Sequence, residues 1–530
     1  MVSLRSSRLA CCFICLKEQS PMRDSLQTDL ETPKTVNHWS RFIDRIHVPR
    51  HPYAPSPLRR VFCLTFLAIL ANSAVADNWP SFRNGGTSVV ESEAPPIRWS
   101  PDHGIAWQVA IPGYGQSSPV VWNGTVYLTS SDGPWQTRQF VHSYELESGK
   151  HCWSREVSGS TKFENYFRNS RAAPTCVVDE HCIVSFFATG DVTAMDHQGE
   201  VLWTVALFDR FGMPVNERGT ASSPCQTDDH VILVIDHSGP SYIVAINKSD
   251  GSIAWKTERG HRVPSWSSPV ATTVANHDLI VISSADTIEA YDANNGAMLW
   301  QRSGLAGNHI PSATVVDGSV YTGSTQMFHS SASEEAIAGS NCKIDMGDLS
   351  ESNAPTVVWS AERANSYYSS PLVFGGYVYY VNKSGVLYCV DAETGERCFA
   401  KRIGNPCWAS AIGVTDDAGN QLIYFVTKNG FTVVLRPAPE YDQIARNQLW
   451  DAEAMVQARE EAKKSRESNR LPAEEAPEKT GPEKMLAGMP EKALHQLFSY
   501  DDPAVYGVAF AQDRLLIRTG QRLYCIGTKQ

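Results

Sequence analysis

The stretch ELESGKHCW at 145–153 decides how the chain is read, because it recurs as MDHQGEVLW at 195–203, NKSDGSIAW at 247–255, YDANNGAMLW at 291–300 and VDAETGERCF at 390–399. Each copy is a short apolar strand, a polar turn containing Gly, and a second strand closing on Trp or Phe. Trp153, Trp203, Trp255 and Trp300 follow one another at 50, 52 and 45 residues. A period of this size marks one supersecondary unit stacked many times.

A second element precedes each of these motifs: a step of small residues with Pro, an apolar strand, a turn and another apolar strand. The copies are SSPVVWNGTVYL from Ser117, AAPTCVVDEHCIV from Ala172, SSPCQTDDHVILV from Ser222, SSPVATTVANHDLIVI from Ser267, PSATVVDGSVY from Pro311, SSPLVFGGYVYYV from Ser369 and ASAIGVTDDAGNQLIYFV from Ala409. The two elements together make four strands, with Asn-Gly, Asp-Gly and Gly-Gly where hairpin turns are needed. That is a blade of a β-propeller.

The aromatics that close the fourth strand, expected to lock each blade to its neighbour, are Trp153, Trp203, Trp255, Trp300, Trp359, Phe399 and Trp450. After Trp450, residues 505–527 offer three strands without a closing aromatic, and GIAWQVAIPG at 104–113 supplies the missing strand with Trp107. The expected fold is therefore all-β: an eight-bladed propeller, closed by pairing an N-terminal strand with the C-terminal blade. Such closure leaves no open sheet edge at the seam.

Four regions follow. Residues 1–76 read as a leader: Arg59-Arg60, an apolar h-region at 61–71, and Ala74-Val75-Ala76 as a cleavage site that would leave Asp77 first. The competing reading, a membrane anchor, suffers because the apolar run is too short to span a bilayer comfortably. No cysteine follows it to accept lipid. Residues 77–104 form an N-terminal extension and 105–530 the propeller. Residues 451–495 interrupt the ring between blades seven and eight, first with helix formers of mixed charge, then with a Pro-, Glu- and Lys-rich stretch expected to be disordered. This insertion is read as a loop protruding from one face, either solvated or partner-binding.

The formal charge is −11, and the leader carries 10 Lys/Arg against 5 Asp/Glu, so the remainder is more acidic still. An acidic balance argues against nucleic acid as a partner. Nine of the 13 cysteines lie beyond the leader with no C-x-x-C among them, which disfavours zinc and thioredoxin-like chemistry. Cys176 and Cys182 flank one hairpin turn, and Cys389 and Cys398 another. Export would permit disulfides there; the alternative is small apolar residues on buried strands.

The paired signature, small-small-Pro with an apolar strand and then D-x-x-x-G-x-x-x-W, resembles the pyrroloquinoline-quinone (PQQ) repeat family of β-propellers over about 105–528. NWPSFRNGG at 78–86 and RLYCIG at 522–527 are similar to exported, planctomycete-type propellers of that family to which no activity is assigned. The family also holds quinoprotein alcohol dehydrogenases and a lipoprotein of the outer-membrane β-barrel assembly machinery. The resemblance implies that the Trp motif is structural. Quinoprotein chemistry would imply PQQ with Ca²⁺, adjacent cysteines beside the cofactor, a carboxylate and an Asn on the metal, and a catalytic Asp. The mature part has no Cys-Cys pair and no C-x-x-C-H.

Nor does the sequence carry G-x-S-x-G, H-E-x-x-H or a P-loop. His103, His142, His197 and His237 fall on different units and read as surface or loop histidines. The candidate site comes from propeller geometry. The residue before each small-small-Pro step should line the mouth of the central funnel: Gln116, Arg171, Ala221, Trp266, Ile310, Tyr368 and Trp408, with Tyr506 or its neighbour from the last blade. Trp266, Tyr368 and Trp408 with Arg171 and Gln116 could grip a planar, anionic or carbohydrate ligand, or simply plug the channel.

The expected function is that of an exported, non-enzymatic binding or scaffold module, monomeric, without cofactor or metal. It would present its funnel or top face to a protein, cell-surface partner or small ligand. A PQQ-dependent oxidoreductase is the alternative.

Overall fold

The computed structural model describes residues 78–528 apart from 134–135, 160–168, 215–218, 261, 308–309, 326–331, 348, 350–354, 362 and 469–502. The leader and the second half of the insertion lie outside the described residues.

Eight four-stranded antiparallel sheets succeed one another around a central axis. Blade 1 spans Val120 to Ser158, blade 2 Val177 to Ala206, blade 3 Cys225 to Glu258 and blade 4 Val270 to Leu305. Blade 5 spans Thr314 to Ser360, blade 6 Leu372 to Arg402 and blade 7 Ile412 to Gln448. Blade 8 takes three strands from Val505–Ile526 and its outer strand, Ile105–Ala110, from the N-terminal side, with Trp107 opposite Cys525. The ring closes as the sequence predicts. "Mouth" below denotes the end at which the innermost strands begin, and "base" the other end.

The recurrent motif works as an interlock between neighbours. Its acidic residue holds the turn: the Asp196 carboxylate accepts the backbone N–H groups of Gln198 and Glu200, and that of Asp391 accepts those of Glu393 and Thr394. These bonds hold the Asp391 carboxyl below the usual range. The carbonyl of the next residue accepts the indole N–H of the preceding blade. Trp107 donates to Leu146, Trp153 to His197, Trp203 to Lys248, Trp255 to Ala293 and Trp359 to Ala392, at 2.7–3.1 Å. The motif glycine lets the ring lie flat: a Cβ on Gly149, at φ +70°, would sit 2.6 Å from the Trp107 ring. In blade 6 the lock is Phe399, which meets Tyr441 of blade 7 edge-on at 5.7 Å. The Trp300 N–H finds no acceptor among the described residues.

Trp450 departs from the expected pattern. In blade 7 the register pairs Val434 with Ala445, so Ala445 holds the repeat's aromatic position. Trp450 lies beyond the strand, where its N–H donates to the Tyr524 hydroxyl of blade 8 at 2.9 Å. The missing aromatic comes from Trp99, whose backbone N–H is held by the Asn447 side chain at 3.1 Å and whose ring is buried.

A second interlock runs around the channel just inside the mouth. The backbone N–H of each inner strand's belt residue donates to a hydroxyl in the next blade: Ser118 to Thr175, then Ser223, Ser268, Ser312, Ser370 and Ser410, at 2.8–3.1 Å. The eighth place is Gly507, where a Cβ would lie 2.5 Å from Ser118 Cα. Arg518 completes the closure from blade 8, donating to the Ser117 carbonyl at 2.9 Å and to Thr129 O.

The N-terminal extension is built into the fold. Trp79 exchanges two backbone bonds of 2.9 Å with Val121 of blade 1, and Pro80 O accepts from Val178 of blade 2. The chain turns inside the channel, then Val89–Ser92 runs parallel to the inner strand of blade 7, as a fifth strand on its free edge. The segment leaves past Asp513 of blade 8, which accepts from Ala94 N at 2.9 Å. The sequence hid this because NWPSFRNGG carries neither apolar alternation nor the repeat.

Of the insertion, Ala452–Ser468 is an α-helix. It rests on blade 8 rather than simply protruding: Ala454 and Met455 pack on the core, and Glu461 pairs with Arg522 at 2.8 Å. No helix among the described residues is long and apolar enough to cross a membrane.

Candidate functional site: the aromatic mouth

The belt fixes which residues face the mouth. Two residues before each belt position stand Gln116, Ala221, Trp266, Ile310, Tyr368 and Trp408, all half-buried as expected for a rim. Blade 2 differs from the sequence alignment. Its belt residue is Thr175, two positions later than AAP suggests, so Ala173 takes the rim place and Arg171 does not. Arg171 is buried at 1% exposure. Burial draws its guanidinium down to about 10, opposed by the charge of Asp191.

The structure brings Tyr368 and Trp408 together and extends them into an arc. Tyr367 stacks on Tyr368 at 4.0 Å, Tyr368 meets Trp408 edge-on at 5.7 Å, and Trp408 leans on Tyr506 at 5.4 Å. Tyr506 meets Tyr114 at 6.2 Å, and their hydroxyls share a hydrogen bond of 2.7 Å. The arc thus spans blades 6, 7, 8 and 1. Lys428 holds its ammonium 5.4 Å above the Trp408 ring, a cation–π contact. The Trp408 N–H has no partner among the described residues.

Gln116 and Trp266 play a different part. Gln116 accepts from Ser170 N, and the Trp266 N–H donates to Gly219 O, both at 2.9 Å. Both tie inter-blade loops to the rim. Tyr367 and Tyr114 were missed because neither precedes a small-small-Pro step; runs of Tyr beside that step were the available signal.

The floor of the mouth is cationic. Arg83 enters the channel from the N-terminal segment and donates to Ala313 O at 2.9 Å, Pro371 O at 3.2 Å and the Thr314 hydroxyl. Ala313 and Pro371 each follow a belt serine, so the guanidinium lies directly beneath the belt. Its partners among the described residues are carbonyls and hydroxyls with no carboxylate, and burial pulls it down to about 9. Arg518, buried between blades 8 and 1, is likewise held on carbonyl and hydroxyl oxygens and drawn down to about 10. Both remain charged at neutral pH. With the channel filled below by Val89–Ser92, the mouth is a cup with aromatic walls and a positive floor.

Other buried polar groups serve packing. Arg259, fully buried, grips both oxygens of Asp236 at 2.6 and 2.9 Å and the Tyr291 hydroxyl at 2.6 Å, joining blades 3 and 4. His142 and His237, expected at the surface, are buried. His142 sits between the Ser130 and Ser154 hydroxyls at 2.8 and 2.7 Å. Among the described residues no group of three or more His, Cys, Asp or Glu could hold a metal.

Comparison with known proteins agrees with this architecture. The family model described as outer membrane protein assembly factor BamB, a PQQ-repeat family, matches residues 78–209 and 137–401, more than half of the chain. A protein of that name from Moranella endobia (strain PCIT) is 22% identical over 328 residues, 60% of this chain and 66% of that protein, just under two thirds of its length. Among solved structures, BamB from Moraxella catarrhalis superposes with a TM-score of 0.50 at 14% identity, covering 80% of this chain and 98% of that one. Quinohemoprotein alcohol dehydrogenase from Comamonas testosteroni gives a TM-score of 0.38 at 13% identity over 68% of this chain and 78% of that one. With the family model spanning most of the ring and eight blades in place, the chain belongs to the PQQ-repeat β-propellers of the BamB family.

Proposed function

We propose that the chain is an exported, non-enzymatic propeller that receives a segment of another protein in its aromatic mouth. The observation that carries this reading is the arc of five rings over a floor holding the Arg83 guanidinium, which has no carboxylate partner among the described residues. Half-buried aromatics offer large contact area at little cost in side-chain entropy, which is why Tyr and Trp dominate binding hot spots. The positive floor favours acidic segments. The family model and the relative named as outer membrane protein assembly factor support a protein of the cell envelope as partner.

Quinone chemistry fits the mouth poorly. Among the described residues its rim positions offer one amide, Gln116, already bonded to Ser170 N, and no carboxylate to hold Ca²⁺. The space beneath is occupied by Arg83 and Val89–Ser92.

A random copolymer of Glu and Tyr serves as a probe. It should alter the tryptophan fluorescence of the full chain saturably, and Trp408→Phe should remove most of that change. A response that Trp408→Phe leaves intact would place binding elsewhere.

A further inference from the structure

Every blade has the same irregularity. Just before the aromatic position the outer strand bulges, so that two of its residues face one residue of the third strand. The repeat therefore builds the same close triplet eight times. In blade 6 the residue opposite is Cys389, and the bulge residue, between the pairs Cys389–Phe399 and Val390–Arg397, is Cys398. Blade 1 has Cys152 at the bulge but Ser143 opposite, and blade 8 has Cys525 opposite but Ala106 at the bulge. Cysteine fills both places in blade 6 alone.

The surroundings suit a bond between them. Cys389 is buried in the core between blades 6 and 7, and Cys398, half-buried, packs on the same cluster. The two thiols influence each other electrostatically, while in the reduced state each donates to a backbone carbonyl, Cys389 to Ala438 O at 3.8 Å and Cys398 to Glu396 O at 3.9 Å. Cys398 adjoins Phe399, the register partner of Cys389, and a bulge turns both outer-strand residues toward the one opposite, a placement that suits the roughly 4.4–6.8 Å between Cα atoms that a disulfide accepts. The other hairpin pair differs: Cys176 precedes the inner strand of blade 2 and Cys182 precedes the second strand, both buried and neither in a bulge.

We propose that Cys389 and Cys398 are a redox-convertible pair that closes to a disulfide within blade 6 by exchange with a small-molecule disulfide. The less buried partner starts the reaction. The Cys398 thiolate attacks one sulfur of the oxidant and expels a thiolate. The Cys389 thiolate then attacks Cys398 Sγ in the mixed disulfide and expels the second thiolate. Two protons and two electrons leave the protein, one S–S bond forms, and the oxidant disulfide is reduced to two thiols. Burial raises both thiols above the ordinary range, so closure at neutral pH is slow and accelerates as the pH rises. The product ties the exposed outer strand of blade 6 to its neighbour.

The full chain should be incubated with oxidised glutathione at mildly alkaline pH, alkylated, digested with trypsin and analysed by mass spectrometry. Trypsin cuts after Arg397, between the two cysteines, so a bridge joins two peptides at a mass about 2 Da below their sum. That linked pair is expected, and dithiothreitol should release it. Cys152, exposed with no thiol opposite, should stop at the glutathione adduct and shows that the oxidant reached the protein. Cys389→Ala and Cys398→Ser should each abolish the linked pair, with Cys398 in the first trapped as the glutathione adduct. If Cys152 is glutathionylated while Cys389 and Cys398 are both recovered alkylated, or if Cys398 in the unaltered chain stops at the mixed disulfide, the proposal is overturned.

Discussion

Trp99 stacks on Tyr424 with ring centroids 6.5 Å apart, in the place where the repeat elsewhere sets its own tryptophan. In blade 1 Tyr127 meets Trp153 at 6.0 Å, and in blade 5 Tyr321 meets Trp359 at 6.0 Å, each pair aligned through the third strand. Tyr424 holds the same place in blade 7, but the third residue of its row is Ala445. A segment outside the repeat thus completes the lock between blades 7 and 8. Trp99→Ala should cost about 3–5 kcal/mol, the usual toll for removing a buried aromatic. Chemical denaturation checks this. A loss near zero would mean that the N-terminal segment merely lies on the ring.

The interlocks rest more on ring burial than on the indole bond. Burying a large apolar side chain is worth about 1.5–3 kcal/mol or more, one hydrogen bond about 0.5–1.5. Trp203→Phe should therefore cost about 1 kcal/mol and Trp203→Ala about 3–5. Blade 6, locked by Phe399, is the natural precedent. Equal losses in the two variants would show that the bond to Lys248 O dominates.

Acid should weaken the fold well above the carboxylate range. Burial lowers the His142 imidazole from 6.5 to about 3, and His237 to about 4. Both stay neutral in the folded chain while the unfolded chain takes up protons below about pH 6.5. Their contribution is complete above that pH and falls as the pH drops through the window to about 4, and to about 3 for His142. For His142 the full loss is on the order of 5 kcal/mol. Asp236, held low by Arg259 despite its burial, adds a further loss below about pH 4. His142→Gln should flatten the slope between pH 6.5 and 4 in urea melts; an unchanged slope would remove His142 as its source.

Arg83 should influence binding without touching the ligand. A unit charge about 10 Å away at an effective dielectric near 20 contributes about 1.7 kcal/mol, more than tenfold in affinity. Arg83→Met, similar in length but neutral, should weaken binding of the Glu/Tyr copolymer by roughly that factor and lower its salt dependence. Unchanged affinity in a folded variant would dismiss the positive floor.

Reconstitution with PQQ and Ca²⁺ is expected to give neither bound-quinone absorbance nor dye reduction with alcohols or sugars. Stoichiometric quinone binding would reinstate the oxidoreductase reading.

The ring was legible because a propeller writes its register into the sequence. The turn Asp, the Gly under the ring and the closing aromatic each have a fixed duty, so the blade count and the Trp107 closure could be read directly. Three things were not legible. The belt hydroxyl of blade 2 moved to Thr175, and a Pro-based alignment slipped two residues and put Arg171 on the rim. Ala445 lost its aromatic to Trp99, which no period could locate. Residues 78–94 fill the channel through backbone pairing and scattered side chains such as Trp79, Arg83 and Ser92, which follow no repeat or periodic pattern. Of the site, Tyr368, Trp408 and Tyr506 were found from geometry; Tyr114, Tyr367 and the cationic floor needed the packed structure.

Site-specific photo-crosslinking in the native host asks whether the mouth receives a protein. A photoreactive phenylalanine analogue at Tyr368 should yield discrete protein adducts on illumination, and the same group at Leu202, exposed on the outer strand of blade 2, should not. Adducts at Leu202 with none at Tyr368 would show that partners meet the outer face of the ring and not its mouth.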